Sequence, residues 1–176
     1  MKTKLIAIAT IAALSSSIGH AATFGVGDSI PMATVEDGGL ASVSGDSVEY
    51  SKWSTSDIKS NGTLVIVAKA GRAGVVDLVR DDFTAELGKK TDLLTIVNKD
   101  DSAFGTGMFV EGAIEEGMLK NPSSMVVLDR EGDLFSELEL QEESAALIVV
   151  KDGKVAYLKE GLIDAAEESK VFDLIK

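Results

Sequence analysis

Of the 176 residues, the first 21 read as a removable leader (below), and taking 21 from 176 leaves 155, the size of one ordinary domain with a core of its own. Hydrophobic residues at 45% and charged residues at 26% exclude both a disordered chain and a membrane-embedded one. Cysteine is absent and the only histidine is His20, so thiol nucleophiles, disulfides, zinc-cysteine sites and, past the leader, Ser-His-Asp triads and histidine bases are excluded with them.

The chain opens with Lys2 and Lys4, continues with an apolar stretch over residues 5–14 (LIAIATIAAL), and reaches small residues at Gly19 and Ala21. This is the pattern of a secretory signal peptide, residues 1–21, cut after Ala21 and leaving a single domain over 22–176. Ten apolar residues in a helix reach only about 15 Å, half of a ~30 Å hydrocarbon layer, so a membrane anchor does not fit. No cysteine follows for lipid attachment, and no membrane insertion is expected after cleavage. In a Gram-negative bacterium the expected address is the periplasm. Without Lys2 and Lys4 the chain keeps 15 basic and 29 acidic side chains, a net charge of −14, and only Arg72, Arg80 and Arg130 carry guanidinium groups. Nucleic acid is therefore not an expected partner, because phosphate binding needs a basic footprint.

Residues 22–62 carry turn signals at Gly25 to Asp28, at Asp37-Gly38-Gly39 and at Asn61-Gly62, and predict a short hairpin or extended arm, with Trp53 as its packing anchor. The run TLVIVAK at 63–69 predicts a strand buried on both faces of a largely parallel sheet. Val76, Val79, Phe83 and Leu87 fall at helical spacing, with Gly88 as the stop. Leu93 to Val97 predicts the next buried strand, and Val110, Ala113, Ile114 and Met118 a second helix that Asn121-Pro122 ends. From there the period is extended: Met125 to Leu128, a turn at Asp129 to Asp133, Leu134 to Leu140, Ala145 to Val150, a Lys151-Asp152-Gly153 hairpin turn, and Lys154 to Lys159. Asp164 with Glu167 resembles a capping box opening a last helix, with Val171, Leu174 and Ile175 on its apolar face. This order predicts an α/β sandwich with helices on both faces of a mixed sheet.

Gly27-Asp28-Ser29-Ile30-Pro31, then VVLDREGDL, and ESAALIVVKDGKVAYLKEG before the final helix resemble the thioredoxin fold in its extracytoplasmic thiol-reductase or peroxiredoxin-like form. More narrowly, Ala70-Gly71-Arg72, TIVNKDD at 95–101, GTGMFV at 105–110 and Glu142-Glu143-Ser144 resemble the YtfJ-type periplasmic family. The resemblance spans nearly all of 22–176 and implies a thioredoxin-like three-layer sandwich with an N-terminal β extension. It departs from the redox pattern where a C-x-x-C would follow the first core strand, because Ala70 to Val75 stands there. It departs again where Ser144 takes the place of the cis-proline, and there a trans bond is expected. No dithiol exchange or peroxidase activity follows from it.

In an open α/β sheet, ligands bind at the carboxyl ends of the parallel strands, which here carry Arg72 and then Asn98, Asp100 and Asp101; Glu142, Glu143 and Ser144 should face the same edge. These seven are the candidate ligand- or partner-binding residues. The alternative is a solvated rim on which Arg72 neutralises Asp100 or Asp101. Gly105-Thr106-Gly107 lacks the third glycine of a dinucleotide fingerprint and the Gly-Lys-Ser/Thr of a phosphate loop, so it reads as a helix start. Asp129, Glu131 and Asp133 read as a turn, since a calcium loop would need Gly at Leu134 and Glu at Leu140. Phe104, Met108 and Phe109 read as core residues, with a groove for a partner peptide as the other reading. The expectation is a binding or adaptor protein with a protein or peptide partner, no cofactor and no metal. The alternative is a cysteine-independent enzyme working through Asp100, Asp101, Glu142 and Glu143, with a hard divalent cation.

Overall fold

The computed structural model describes residues 22–75 and 77–176, so the leader assigned to residues 1–21 and the helical position expected of Val76 lie outside the described residues. In chain order the elements are β1 (Thr34–Ser44), β2 (Ser47–Ser54), β3 (Thr63–Ala70), α1 (Asp81–Gly88), β4 (Asp92–Asn98), α2 (Gly107–Lys120), β5 (Met125–Asp129), α3 (Asp133–Glu137), β6 (Ala145–Lys151), β7 (Lys154–Glu160) and α4 (Ala165–Leu174). The strands form one sheet in the order β2-β1-β5-β4-β3-β6-β7. Its centre, β5-β4-β3, is parallel, while β1 and β6 join antiparallel on either side.

β3 is buried on both faces, as its β-branched run requires. Ile66 and Ala68 point into one layer with Leu94, Ile96, Val127 and Ile148, covered by α3 and the N-terminal segment through Phe24 and Ala33. Val65 and Val67 point into the other with Leu147 and Val149, covered by α1 through Phe83 and Leu87 and by α4 through Val171. Right-handed crossovers put α1 and α2 on that second face. There α2 lies toward β1 and β2 and buries only Met118. No helix among the described residues is long and apolar enough to cross a membrane.

Three local expectations are corrected. Asp37-Gly38-Gly39 is a bulge inside β1, not a turn. Gly38 and Gly39 take φ of +100° and +89°, and the register against β2 shifts between Val35 and Leu40, so that β1 pairs β2 on one side and β5 on the other. The helix expected from Val76 begins only at Asp81. A 3₁₀ turn at Ala73–Val75 and an extended Arg80 precede it, and Asp81 and Asp82 place their charges at the positive end of the helix they open. Leu134 to Leu140 is not a strand, because α3 starts at Asp133 and the left-handed Glu139 follows it. The cause is Asp129, whose Oδ2 accepts the N–H groups of Leu134 (3.1 Å) and Phe135 (3.4 Å) and so caps the first turn.

Elsewhere the local chemistry acts as read. Trp53 is buried. Asp152 and Gly153, both at positive φ, make the β6-β7 turn. Asp164 accepts from Ala166 and Glu167 N–H, although the Glu167 carboxylate turns to Tyr157 and Lys170 instead of closing a capping box.

The bulge is testable. A Cβ on Gly39 would stand 2.0 Å from the Ser51 carbonyl oxygen, whereas Gly45, also at positive φ, faces open space. Gly39→Ala should lower the melting temperature by more than about 5 °C, while Gly45→Asn should cost about 1 kcal/mol or less. Thermal denaturation of the two variants side by side checks this.

Candidate functional site

The parallel register sets Ala70, Asn98 and Asp129 side by side at the carboxyl ends of β3, β4 and β5. The chain leaves all three strands at one level. Gly71 N–H donates to the Asn98 carbonyl (2.7 Å), Lys99 N–H to the Asp129 carbonyl (2.7 Å), and Ala70 N–H to the Ser144 carbonyl (2.9 Å). Gly71 is fixed by contact, since a Cβ there would lie 2.8 Å from the Asn98 oxygen and 3.1 Å from Val110 on α2.

Asn98 is 3% exposed and organises the edge. Its Oδ1 accepts from Asp100 N–H (2.9 Å) and its Nδ2 donates to Asp101 Oδ2 (3.0 Å). The same Asp101 oxygen accepts from Glu143 N–H (3.1 Å), which steadies a residue held at a φ of +53°. The Glu143 carboxylate in turn pairs with Arg72. Partial burial raises the Asp101 carboxyl above its ordinary range; the Glu143 N–H opposes this, and the charges of Glu142, Asp100 and Glu143 add to it. Ser144 is 3% exposed and its peptide bond is trans.

Six of the seven candidate residues, Arg72, Asn98, Asp100, Asp101, Glu143 and Ser144, therefore meet in one hydrogen-bonded edge, Asp100 through its backbone N–H. Glu142 is exposed and contributes charge alone. The partner expected for Arg72 is corrected. It is Glu143 and not Asp100 or Asp101, because Asn98 and the Glu143 N–H already hold Asp101 and the guanidinium is left to the loop before β6.

Sequence reasoning missed three features here. Asp129, read as part of a turn, is wholly buried, and its Oδ1 has no hydrogen-bond partner. Its place directly after the apolar VVL run was the available signal. Burial pushes its carboxyl up to about 6 against the N–H bonds from Phe135 and Leu134. Glu111 of α2 joins Lys99 (2.8 Å) and Arg130, and Arg130 reaches Asp37 (2.8 Å) and stacks 5.1 Å from the centroid of the Tyr50 ring. Burial works against the Glu111 charge, but hydrogen bonds from Lys99 and Arg130 outweigh it and hold the carboxyl below its ordinary range. Last, Phe104, Met108 and Phe109 are not core residues. Phe104 is fully exposed, and Met108 and Phe109 are 73% and 70% exposed. Met108 and Phe109 fall off the helical stripe of Val110, Ile114 and Met118, which was the readable sign.

Between α1 and α2 a groove of about 1180 Å³ runs from Asp92 and Met125 up to Arg72 and Phe109, with the half-buried Thr95 and the buried Val67 and Val97 of the sheet in its lining. Among the described residues, no three His, Cys, Asp or Glu side chains converge as metal ligands.

A family model described as "Bacterial protein of unknown function (YtfJ_HI0045)" matches residues 24–176. An uncharacterised protein YtfJ of Escherichia coli K12 is 30% identical, the alignment covering 87% of this chain and 86% of that one. Among solved structures, the thioredoxin domain of a thiol-disulfide oxidoreductase from Bacteroides vulgatus is similar at a TM-score of 0.54 and 13% identity, covering 88% of this chain and 100% of that one. Reduced Prx3 in complex with H₂O₂ from Vibrio vulnificus is similar at 0.55 and 14% identity, over 87% and 96%. The fold is thioredoxin-like.

The buried Asp129 has a pH signature. Its folded value lies above the ordinary 3.8, so the protonated form favours the fold. That contribution is complete below about pH 4 and is lost as the pH rises through about 6. Relative to Asp129→Asn, the wild type should lose on the order of 3 kcal/mol of unfolding free energy between pH 4 and 7. Urea denaturation of both proteins across that range measures the difference.

Proposed function

The chain belongs to this YtfJ_HI0045 family, and we propose that it is an exported, periplasmic binding protein that grips a protein or peptide partner at the strand-end edge. Fold alone assigns no activity. Thioredoxin-like proteins that exchange disulfides use a cysteine pair after the first core strand, and this chain offers Ala70 to Val75 there and no cysteine anywhere. The edge keeps shape and polarity without a reactive sulfur.

The observation that carries the reading is the exposure of Phe104, Met108 and Phe109 at the start of α2 and in the loop before it, with Phe109 lining the same groove as Arg72. Phe24, Phe83 and Phe135 are buried, whereas Phe104, Met108 and Phe109 are exposed within one short stretch of chain, and Val26, Met32 and Leu162 are exposed singly elsewhere. Apolar anchors surrounded by charged and hydrogen-bonding groups are the composition of a partner interface. Export is supported by the Lys2, Lys4 and LIAIATIAAL pattern ahead of Ala22.

A photoreactive residue in place of Phe109 should cross-link one defined partner in intact cells. Arg72→Ala and Phe104→Ala should each abolish that product, while Arg72→Ala costs only about 0–1 kcal/mol of stability, as expected of a partly exposed pair. A product that survives both changes would remove the site from this edge. The same cells test the address: mass spectrometry of the osmotic-shock fraction should find a chain beginning at Ala22, and an intact Met1 in the cytosol would refute export.

A further inference from the structure

Lys69 precedes the last residue of β3 and keeps the parity of Val65 and Val67, so it lines the groove between α1 and α2. It is half-buried on a central strand, and no carboxylate among the described residues pairs with it. The neighbouring cations are engaged: Arg72 by Glu143, Lys89 by Glu86, and Lys99 by Glu111. The lining brings Lys69, Arg72 and Lys89 together with a single carboxylate, Asp92, in a chain whose net charge is −12. Lys69 is thus the cation of the lining that no carboxylate among the described residues pairs with, and it stands with Arg72 at one end of a groove whose wall carries Val110, Ile114 and Met118.

The backbone decides between classes of occupant. β4 is hydrogen-bonded to β3 and β5 on both sides, and away from their ends the carbonyl and N–H groups of α1 and α2 are spent within their helices. A peptide laid in the groove would lose water from its own N–H and C=O groups and find no partners for them. A hydrocarbon chain has no such groups. The stretch of β4 from Asp92 to Val97 extends roughly 17 Å, and the volume suits a small-molecule site.

We propose that this groove binds a long-chain fatty acid, with its carboxylate on Lys69 and its chain running between α1 and α2 toward Met118. This goes beyond the partner-binding reading and does not depend on it. Palmitate, titrated calorimetrically into the protein below the concentration at which it forms micelles, should bind saturably at one site. Methyl palmitate, which lacks the charge, should bind at least tenfold more weakly. Lys69→Met keeps the apolar stem and should lose at least tenfold, while Lys69→Arg should stay within about threefold. Ala113→Trp, on the groove wall, should block binding; thermal denaturation shows that each variant is folded. Phe104→Ala should leave palmitate binding unchanged while it removes the partner cross-link, so the two readings fail separately. Absence of saturable binding to the wild type, or equal affinity in Lys69→Met and Ala113→Trp, would overturn the proposal.

Discussion

A carboxylate with no accessible surface ties the end of β5 to the start of α3, and the whole strand-end edge leans on it. Asp129 caps α3 through the Leu134 and Phe135 N–H groups, and its backbone carbonyl holds Lys99. The turn it closes brings Gly132 against Asn98, where a Cβ would stand 3.3 Å from Oδ1. Asn98 sets Asp101, Asp101 holds Glu143, and Glu143 holds Arg72. A chain of contacts, packing at Gly132, then hydrogen bonds and an ion pair, thus runs from the core to the surface. Such polar networks are stable only when every member is satisfied, and the unpartnered Oδ1 of Asp129 is the one place where this network is not.

The long elements were legible because one physical signal dominated each of them. The run TLVIVAK is too uniformly β-branched to be anything but a central strand, and Val110 to Met118 repeats at helical spacing. Where two signals competed, the sequence misled. Leu134, Phe135, Leu138 and Leu140 are all buried, and a stretch so rich in core residues looks extended until a cap is supplied from five residues upstream. Gly38-Gly39 has the composition of a turn, yet close approach to the Leu128 and Ser51 carbonyls makes it a bulge.

The candidate edge was legible for a different reason. Parallel strands must end level, so residues that follow them are neighbours whatever their identity. What no spacing rule supplies is partner choice. Asp100, Asp101, Glu142 and Glu143 all offered Arg72 a carboxylate at this edge, and Asp101 was already held by Asn98 and the Glu143 N–H. Nor does spacing show that Glu111 of α2 joins Arg130, which reaches Asp37 of β1.

The N-terminal segment has consequences for how the chain reaches this state. Gly27 donates to Val155 and Val155 to Asp28 at the β7 edge, Ala22 donates to Glu160 across a sequence separation of 138 residues, and Ala33 then meets Thr55 at the far side of the sheet. The segment is a belt drawn across one face from edge to edge. It cannot be fastened until β7, nearly the last element made, is in place. Closure over so long a loop is slow, and a chain emerging from synthesis amino end first holds its belt open throughout. The order of assembly written into this topology therefore delays the locked state until the chain is complete.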